Sequence, residues 1–267
     1  MRGVTNGRAG VRVLLPAFVG VLLVPACFAP MVARAGVVED AVAATEDGRI
    51  RFEYPTREGV VGDGRSLRFR ETQWSDWRCD CSEGPARVQL RVRDGRVIDV
   101  DVRVGGRWRA ARASTVDLGA LSPARAADAL LTLAERATDG DLEEAILGAV
   151  IAEDFDDHAR LVRIARDGDR PRDLRESAVF WLGQAAGARA TTELVRLVED
   201  DDEDLQLREH AIFALSQRGI EECFGPLRRV ATSSPHPQLR EKAFFWLAQH
   251  DDARVVAFFE DVLVGGE

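Results

Sequence analysis

Apolar and polar positions alternate along this chain in two rhythms. Between Thr45 and Ala110 the period is two, as in half-buried strands. Ile50-Arg-Phe-Glu-Tyr54 and Ser66-Leu-Arg-Phe69 predict strands, and Gly62-Asp63-Gly64-Arg65 a turn. The longest piece, Arg87 to Val104, predicts a hairpin in which Val88, Leu90 and Val92 share one face and Ile98, Val100, Val102 and Val104 share another. A two-residue Asp94-Gly95 loop would set Leu90 against Asp99, mixing core with solvent. A three-residue loop, Arg93-Asp94-Gly95, sets Leu90 against Ile98 and Val88 against Val100. That register is the expectation, with Gly95 at positive φ in a bulge.

From Ser122 onward the rhythm is helical. Ser122-Pro123 reads as an N-cap followed by proline at the first helical position, opening a helix to about Ala137. Helix pairs follow at about 141–153 with 156–167, 171–186 with 189–199, 204–218 with 220–232, and 236–249 with 252–264. The expected fold is α+β: a small antiparallel β domain of four to six strands over about 36–112, then a C-terminal α-solenoid over about 113–267.

The solenoid expectation rests on a recurring phrase. Leu174-Arg-Glu-Ser-Ala-Val-Phe-Trp-Leu-Gly-Gln184 returns as Leu207-Arg-Glu-His-Ala-Ile-Phe-Ala-Leu-Ser-Gln217 and as Leu239-Arg-Glu-Lys-Ala-Phe-Phe-Trp-Leu-Ala-Gln249. Ala178, Ala211 and Ala243 stand 33 and 32 residues apart, and Ala145 in the degenerate Leu142-Glu-Glu-Ala-Ile-Leu precedes Ala178 by 33. A fixed period of this size marks a stacked array whose units bury their apolar faces on one another. The Leu-Arg-Glu-x-Ala-x-x-x-Leu-Gly core, followed by a second Ala/Val/Leu-rich helix, resembles HEAT repeats over roughly residues 120–265. The resemblance implies about four right-handed helical layers that hold other macromolecules, as in bacterial scaffolding proteins. Some proteins with such repeats are bilin lyases, but no other residue here points to tetrapyrrole chemistry.

In the helix of the first phrase Leu174, Ala178, Trp181, Leu182 and Ala185 form the apolar arc that faces the stack. Phe180 and Gln184 lie one turn apart on the far side, where a charged or polar residue is usual in such repeats. Phe213 with Gln217, and Phe245 with Gln249, repeat the placement; Leu147 and Ile151 take it in the degenerate copy. Stacking aligns these residues into a ladder, the candidate partner-binding surface. Either the β segment and the loops cover it or a protein partner does. Trp181 and Trp246 share one slot and are expected to pack.

Composition narrows the function. The net charge of −9 argues against a phosphate backbone as partner, and Lys242 alone among 36 basic residues is lysine, a bias of high-GC bacterial genomes. Residues 1–35 have the layout of a secretory signal: Arg2, Arg8 and Arg12, an apolar run, then Ala33-Arg34-Ala35 before Gly36. The run is broken by Pro16, Pro25 and Pro30, which favours cleavage over a membrane anchor. Removing the segment, with its four arginines and no acid, takes the charge from −9 to −13. The protein is therefore expected in the periplasm or outside the cell, and at a membrane only if Cys27 is lipid-anchored.

Of the remaining cysteines, Cys79 and Cys81 are a possible disulfide pair, given a turn at Ser82-Glu83-Gly84-Pro85, and Cys223 a buried free thiol. The competing chemistry is a thiol-redox site at Cys79-Asp80-Cys81 flanked by Trp74 and Trp77. Glu199-Asp-Asp-Asp-Glu-Asp204 lacks the spaced ligands and glycine of a calcium loop and reads as a solvated connection. His158, His210, His236 and His250 have no metal spacing, and no catalytic motif or phosphate-cradling loop is present. The reading is a non-enzymatic protein-binding scaffold without a cofactor.

Overall fold

A computed structural model describes residues 36–65, 67–69, 81–108, 110–139, 141–185 and 188–264. The expected signal segment 1–35, with Cys27, lies outside the described residues, as do Trp74, Trp77, Cys79 and Asp80. The architecture is α+β. A short helix α1 (Val37–Ala43) precedes the strands β1 (Gly48–Tyr54), β2 (Val60–Gly62), β3 (Leu67–Phe69), β4 (Ser82–Glu83), β5 (Ala86–Arg93), β6 (Arg96–Val104) and β7 (Thr115–Ala120). Among the described residues nine helices follow: α2 (Pro123–Arg136), α3 (Glu143–Val150), α4 (His158–Arg166), α5 (Arg172–Gln184), α6 (Ala188–Glu199), α7 (Leu205–Ser216), α8 (Ile220–Ser233), α9 (Pro237–Leu247) and α10 (Ala253–Val264).

The main sheet runs β6-β5-β1-β7, and a smaller one β3-β2-β4. Alternation places Ile50, Phe52 and Tyr54 of β1 beside Leu90, Val88 and Ala86 of β5, all buried. The pairing is antiparallel except that β7 runs parallel to β1. β7 also ends at Ala120, past the residue-112 boundary read from the sequence.

The hairpin corrects the expected register. Asp94 and Gly95 both have positive φ, 51° and 68°, so they form a two-residue turn of the type that matches strand twist. Leu90 pairs with Val100 and Val88 with Val102, not with Ile98 and Val100. The pairing shifts between Arg91, opposite Asp99, and Val92, opposite Val97, so Ile98 is the extra residue of a bulge. That bulge rephases β6 and returns the valines to the core side. Asp141 then pairs along the outer edge of β6: its N–H donates to the Ile98 carbonyl at 3.2 Å, and its carbonyl accepts from Val100 N–H at 3.2 Å.

The helices form two rows. In one, α3, α5, α7 and α9 each pack on the next; in the other, α2, α4, α6 and α8 do the same, and consecutive helices join the rows. α10 closes the end, with Phe258 stacked on Phe244 of α9 at 5.8 Å. The equivalent alanines Ala145, Ala178, Ala211 and Ala243 are all fully buried, one in each successive layer. Gly183 allows the closest approach: a Cβ there would stand 2.8 Å from Ala214 Cβ and 2.9 Å from its carbonyl oxygen. Ser122 caps α2 as expected, accepting from Arg125 N–H.

Sheet and stack share one continuous core. At the joint Tyr54 Oη donates to the Gly148 carbonyl at 2.5 Å, and Val102 N–H donates to the Glu144 carboxylate at 2.6 Å. Burial pushes the Tyr54 hydroxyl pKa up, which keeps it a neutral donor. A β platform thus takes the place that an end-capping repeat would otherwise fill.

Candidate functional site

The structure divides the expected Phe/Gln ladder. Phe180 and Phe245 stand outward, 38% and 54% exposed. Each rests edge-on against the tryptophan that follows it, Phe180 on Trp181 and Phe245 on Trp246, both at 5.0 Å. Phe213 is half-buried because Trp246 of the next layer leans on it at 4.9 Å, whereas Ala214 holds the tryptophan slot in its own helix. Gln184 is half-buried, and Gln217 and Gln249 are exposed. In the first layer the β region covers the rung. Arg57 N–H donates to the Ile151 carbonyl at 2.9 Å, Thr56 pairs with Ala152, and Ile151 is fully buried. Phe69 of β3 extends this cover to Trp181, with ring centroids 5.7 Å apart.

Glu176, Phe180 and Gln184 are spaced four apart, as are Glu209, Phe213 and Gln217, and Glu241, Phe245 and Gln249, so each outer stripe reads acid, aromatic, amide. Glu176 lies 3.5 Å from His210 of the next layer and Glu209 lies 3.5 Å from Lys242, whereas Glu241 has no partner among the described residues.

The arginine of the repeated phrase has a structural task. Arg175 donates to the Ala165 carbonyl at 2.6 Å, Arg208 to Val198 at 2.9 Å, and Arg240 to Ser234 at 2.7 Å. Each satisfies a carbonyl at the C-terminal end of the preceding helix, where backbone acceptors have no helical partner and the dipole favours a cation. The acidic run serves the same frame. Glu203 pairs with Arg175, Asp201 with Arg208, Asp200 with Arg166, and Asp204 caps α7. Four of its carboxylates, those of Glu199, Asp200, Asp201 and Glu203, are thus turned toward arginines.

Cys81 is disulfide-bonded, and its partner lies outside the described residues. Cys223 is free and fully buried, with Sγ 3.7 Å from His250 Nε2. Burial pushes its pKa up to about 11, so the thiol is protonated and a poor nucleophile near neutral pH.

Sequence reasoning missed a cavity of about 320 Å³ on the outer face of the main sheet. Its floor comes from the polar positions of three strands: Arg49 and Arg51 on β1, Arg87 and Gln89 on β5, Asp101 and Arg103 on β6. The Asp63–Arg65 turn makes one wall, and Gly105, Arg107, Trp108 and the residues 110–112 make the other. Seven arginines and two aspartates line it among the described residues. Three arginines are held within the protein. Arg51 grips Asp117 at 2.9 and 2.6 Å, which lowers the pKa of that carboxylate. Arg103 grips Asp101 at 2.9 and 2.6 Å. Arg87 reaches Glu53 at 3.3 Å and the carbonyls of Gly105 and Gly106. Trp108 is fixed beside them, its indole N–H donating to Glu53 at 3.1 Å and the Arg51 guanidinium lying 5.0 Å over its ring. The legible signal was the alternation of polar residues on the solvent side of the strands, Arg49 and Arg51 on β1, Arg87 and Gln89 on β5, Asp101 and Arg103 on β6, which looks like ordinary strand polarity until the strands are adjacent.

Compared with models of known protein families and with curated proteins, the chain matches none.

Proposed function

We propose that this protein is a non-enzymatic binding module whose helical stack holds a protein partner along the outer face of α5, α7 and α9. The observation that carries this reading is the outward placement of Phe180 and Phe245, each backed by a buried-edge tryptophan on a rigid two-row frame. Exposed aromatics on a fixed support are efficient anchors, because they bury much area at little entropic cost. The acid-aromatic-amide stripes favour a partner segment with apolar anchors bordered by basic residues. The likeness of the repeated phrase to HEAT repeats supports the same reading. Work outside the cytoplasm is part of the proposal, supported by the secretory layout of residues 1–35 and by the disulfide at Cys81.

A photo-reactive phenylalanine placed at 180, 245 and, as a control, at the well-exposed Arg189 of α6 tests this in the host cell. The expected result is one and the same cross-linked protein from positions 180 and 245 and none from 189. Adducts that are absent at 180 and 245, or identical at all three, would overturn the reading.

A further inference from the structure

Four arginines of the cavity on the sheet's outer face, Arg49, Arg65, Arg107 and Arg112, have no side-chain hydrogen bond or ion pair among the described residues. Arg49 is half-buried on the floor, and the other three stand at the walls. An exposed arginine without a partner is ordinary; four converging on one concavity, beside three already paired, is not. Like charges gathered in one concavity repel one another, and the repulsion is relieved when an anion enters. The net charge of the chain is −9, so the cavity is a local reversal of sign rather than part of a general basic surface.

We propose that this cavity binds a small molecule carrying two or more anionic oxygen groups, phosphoryl or carboxyl. The argument for multiple charge is the set Arg49, Arg65, Arg107 and Arg112, four cations that a single negative charge leaves mostly unanswered once Arg51, Arg87 and Arg103 are set aside with their carboxylates. Guanidinium is the fitting donor, since its planar fork engages two oxygens at once and it stays charged at any working pH. The argument for a small ligand is volume: about 320 Å³ is at the lower end of the ~300–1,000 Å³ of small-molecule sites. A nucleic-acid strand or an anionic membrane calls for an extended basic surface, which a chain of this acidity does not offer. The paired arginines have a second role here. Arg51, Arg87 and Arg103 are oriented before the ligand arrives, so little is lost in ordering them.

The site is distinct from the Phe180–Phe245 face, so the two readings stand or fall separately. Isothermal titration of the full chain with pyrophosphate, citrate and acetate at matched ionic strength is the test. Pyrophosphate or citrate should bind saturably at one equivalent and acetate should not; whichever of the two is tighter tells phosphoryl from carboxyl. A lost charge-assisted hydrogen bond is worth about tenfold or more in affinity, so Arg49→Gln and Arg107→Gln should each weaken binding by about that factor. Arg93→Gln removes the same charge at the exposed end of β5, two residues beyond the strand partner of Arg49 and outside the cavity lining, and should weaken binding less than either cavity variant. Pyrophosphate should also raise the melting temperature of the wild type and not that of Arg49→Gln. Failure of both polyanions to bind, equal losses in Arg93→Gln and Arg49→Gln, or an unliganded Arg49→Gln that melts well below the wild type would each overturn the proposal, the last by showing that Arg49 serves the fold.

Discussion

Arginine does opposite work in the two regions of this protein. In the helical stack Arg160, Arg175, Arg208 and Arg218 are largely withdrawn from solvent, and each is answered by the protein. Arg160 of α4 reaches across to Asp128, Thr132 and Glu135 of α2, and Arg218 reaches the Gly183 and Ala185 carbonyls at 3.0 and 2.7 Å. At the outer face of the sheet Arg49 of β1, with Arg65, Arg107 and Arg112 of the bordering loops, faces a shared cavity with no answering group among the described residues. The difference lies in what surrounds the side chain. Helix ends supply orphan carbonyls at fixed intervals, so a repeated arginine meets a repeated acceptor. The strands of a sheet supply no such regular acceptors, because their carbonyls are spent on neighbouring strands, and Arg87 finds its carbonyls in the Gly105–Gly106 turn instead.

The comparison presupposes that sheet and stack melt together. Phe52 is fully buried in the shared core, so Phe52→Ala should cost about 3–5 kcal/mol and lower the helical and strand melting signals in a single transition. Helices that melt at the wild-type temperature would divide the two regions. The structural role of the stack arginines is tested next. Arg208 is 3% exposed, and Arg208→Met should cost about 1–3 kcal/mol in urea denaturation by orphaning the Val198 carbonyl.

Two glutamates sharpen the contrast with opposite pH dependences. The Arg160 hydrogen bond holds the Glu135 carboxyl below its ordinary pKa, so its stabilisation is present above the ordinary value and is lost as pH falls through the lowered one. Burial at the joint pushes Glu144 above its ordinary pKa, so the folded state keeps that proton more tightly. Its contribution is complete below the ordinary value and is lost as pH rises through the raised one. Urea midpoints across the acid range should show Glu135→Gln flattening the acid-side loss and Glu144→Gln removing the loss on rising pH. The smallest effect belongs to the cavity wall: Arg112→Gln should shift stability by less than about 0.5 kcal/mol, as measured by thermal melting. A larger drop would make Arg112 a structural arginine after all.

Much of the helical half was legible because each element answers to its own local pattern. Ser122 with Pro123 set the start of α2, and the 33-residue recurrence placed α5, α7 and α9 in successive layers. The inward sets Ile50–Phe52–Tyr54 and Val88–Leu90–Val92 followed from alternation alone. The hairpin register did not, because turn type and bulge trade against each other: a three-residue loop, or a two-residue loop with a bulge at Ile98, keeps apolar faces together. The folded strand shows the second, with Asp94 and Gly95 both at positive φ and with Asp141, some forty residues away along the chain, bonded to the backbone on either side of Asp99.

The ladder shows the same limit at a finer scale. Phe180, Phe213 and Phe245 are equivalent in sequence and unequal in space, since Trp246 shields one and Phe69 approaches the layer of another. The sequence by itself determined the elements, the layered repeat and which faces are apolar, because helix and strand periods act over a few residues. Tertiary structure alone decided which aromatics remain outside, how β6 is phased, and that Arg49, Arg65, Arg107 and Arg112 meet. Those outcomes depend on groups far apart in the chain, brought together only when strands and helices close on one core.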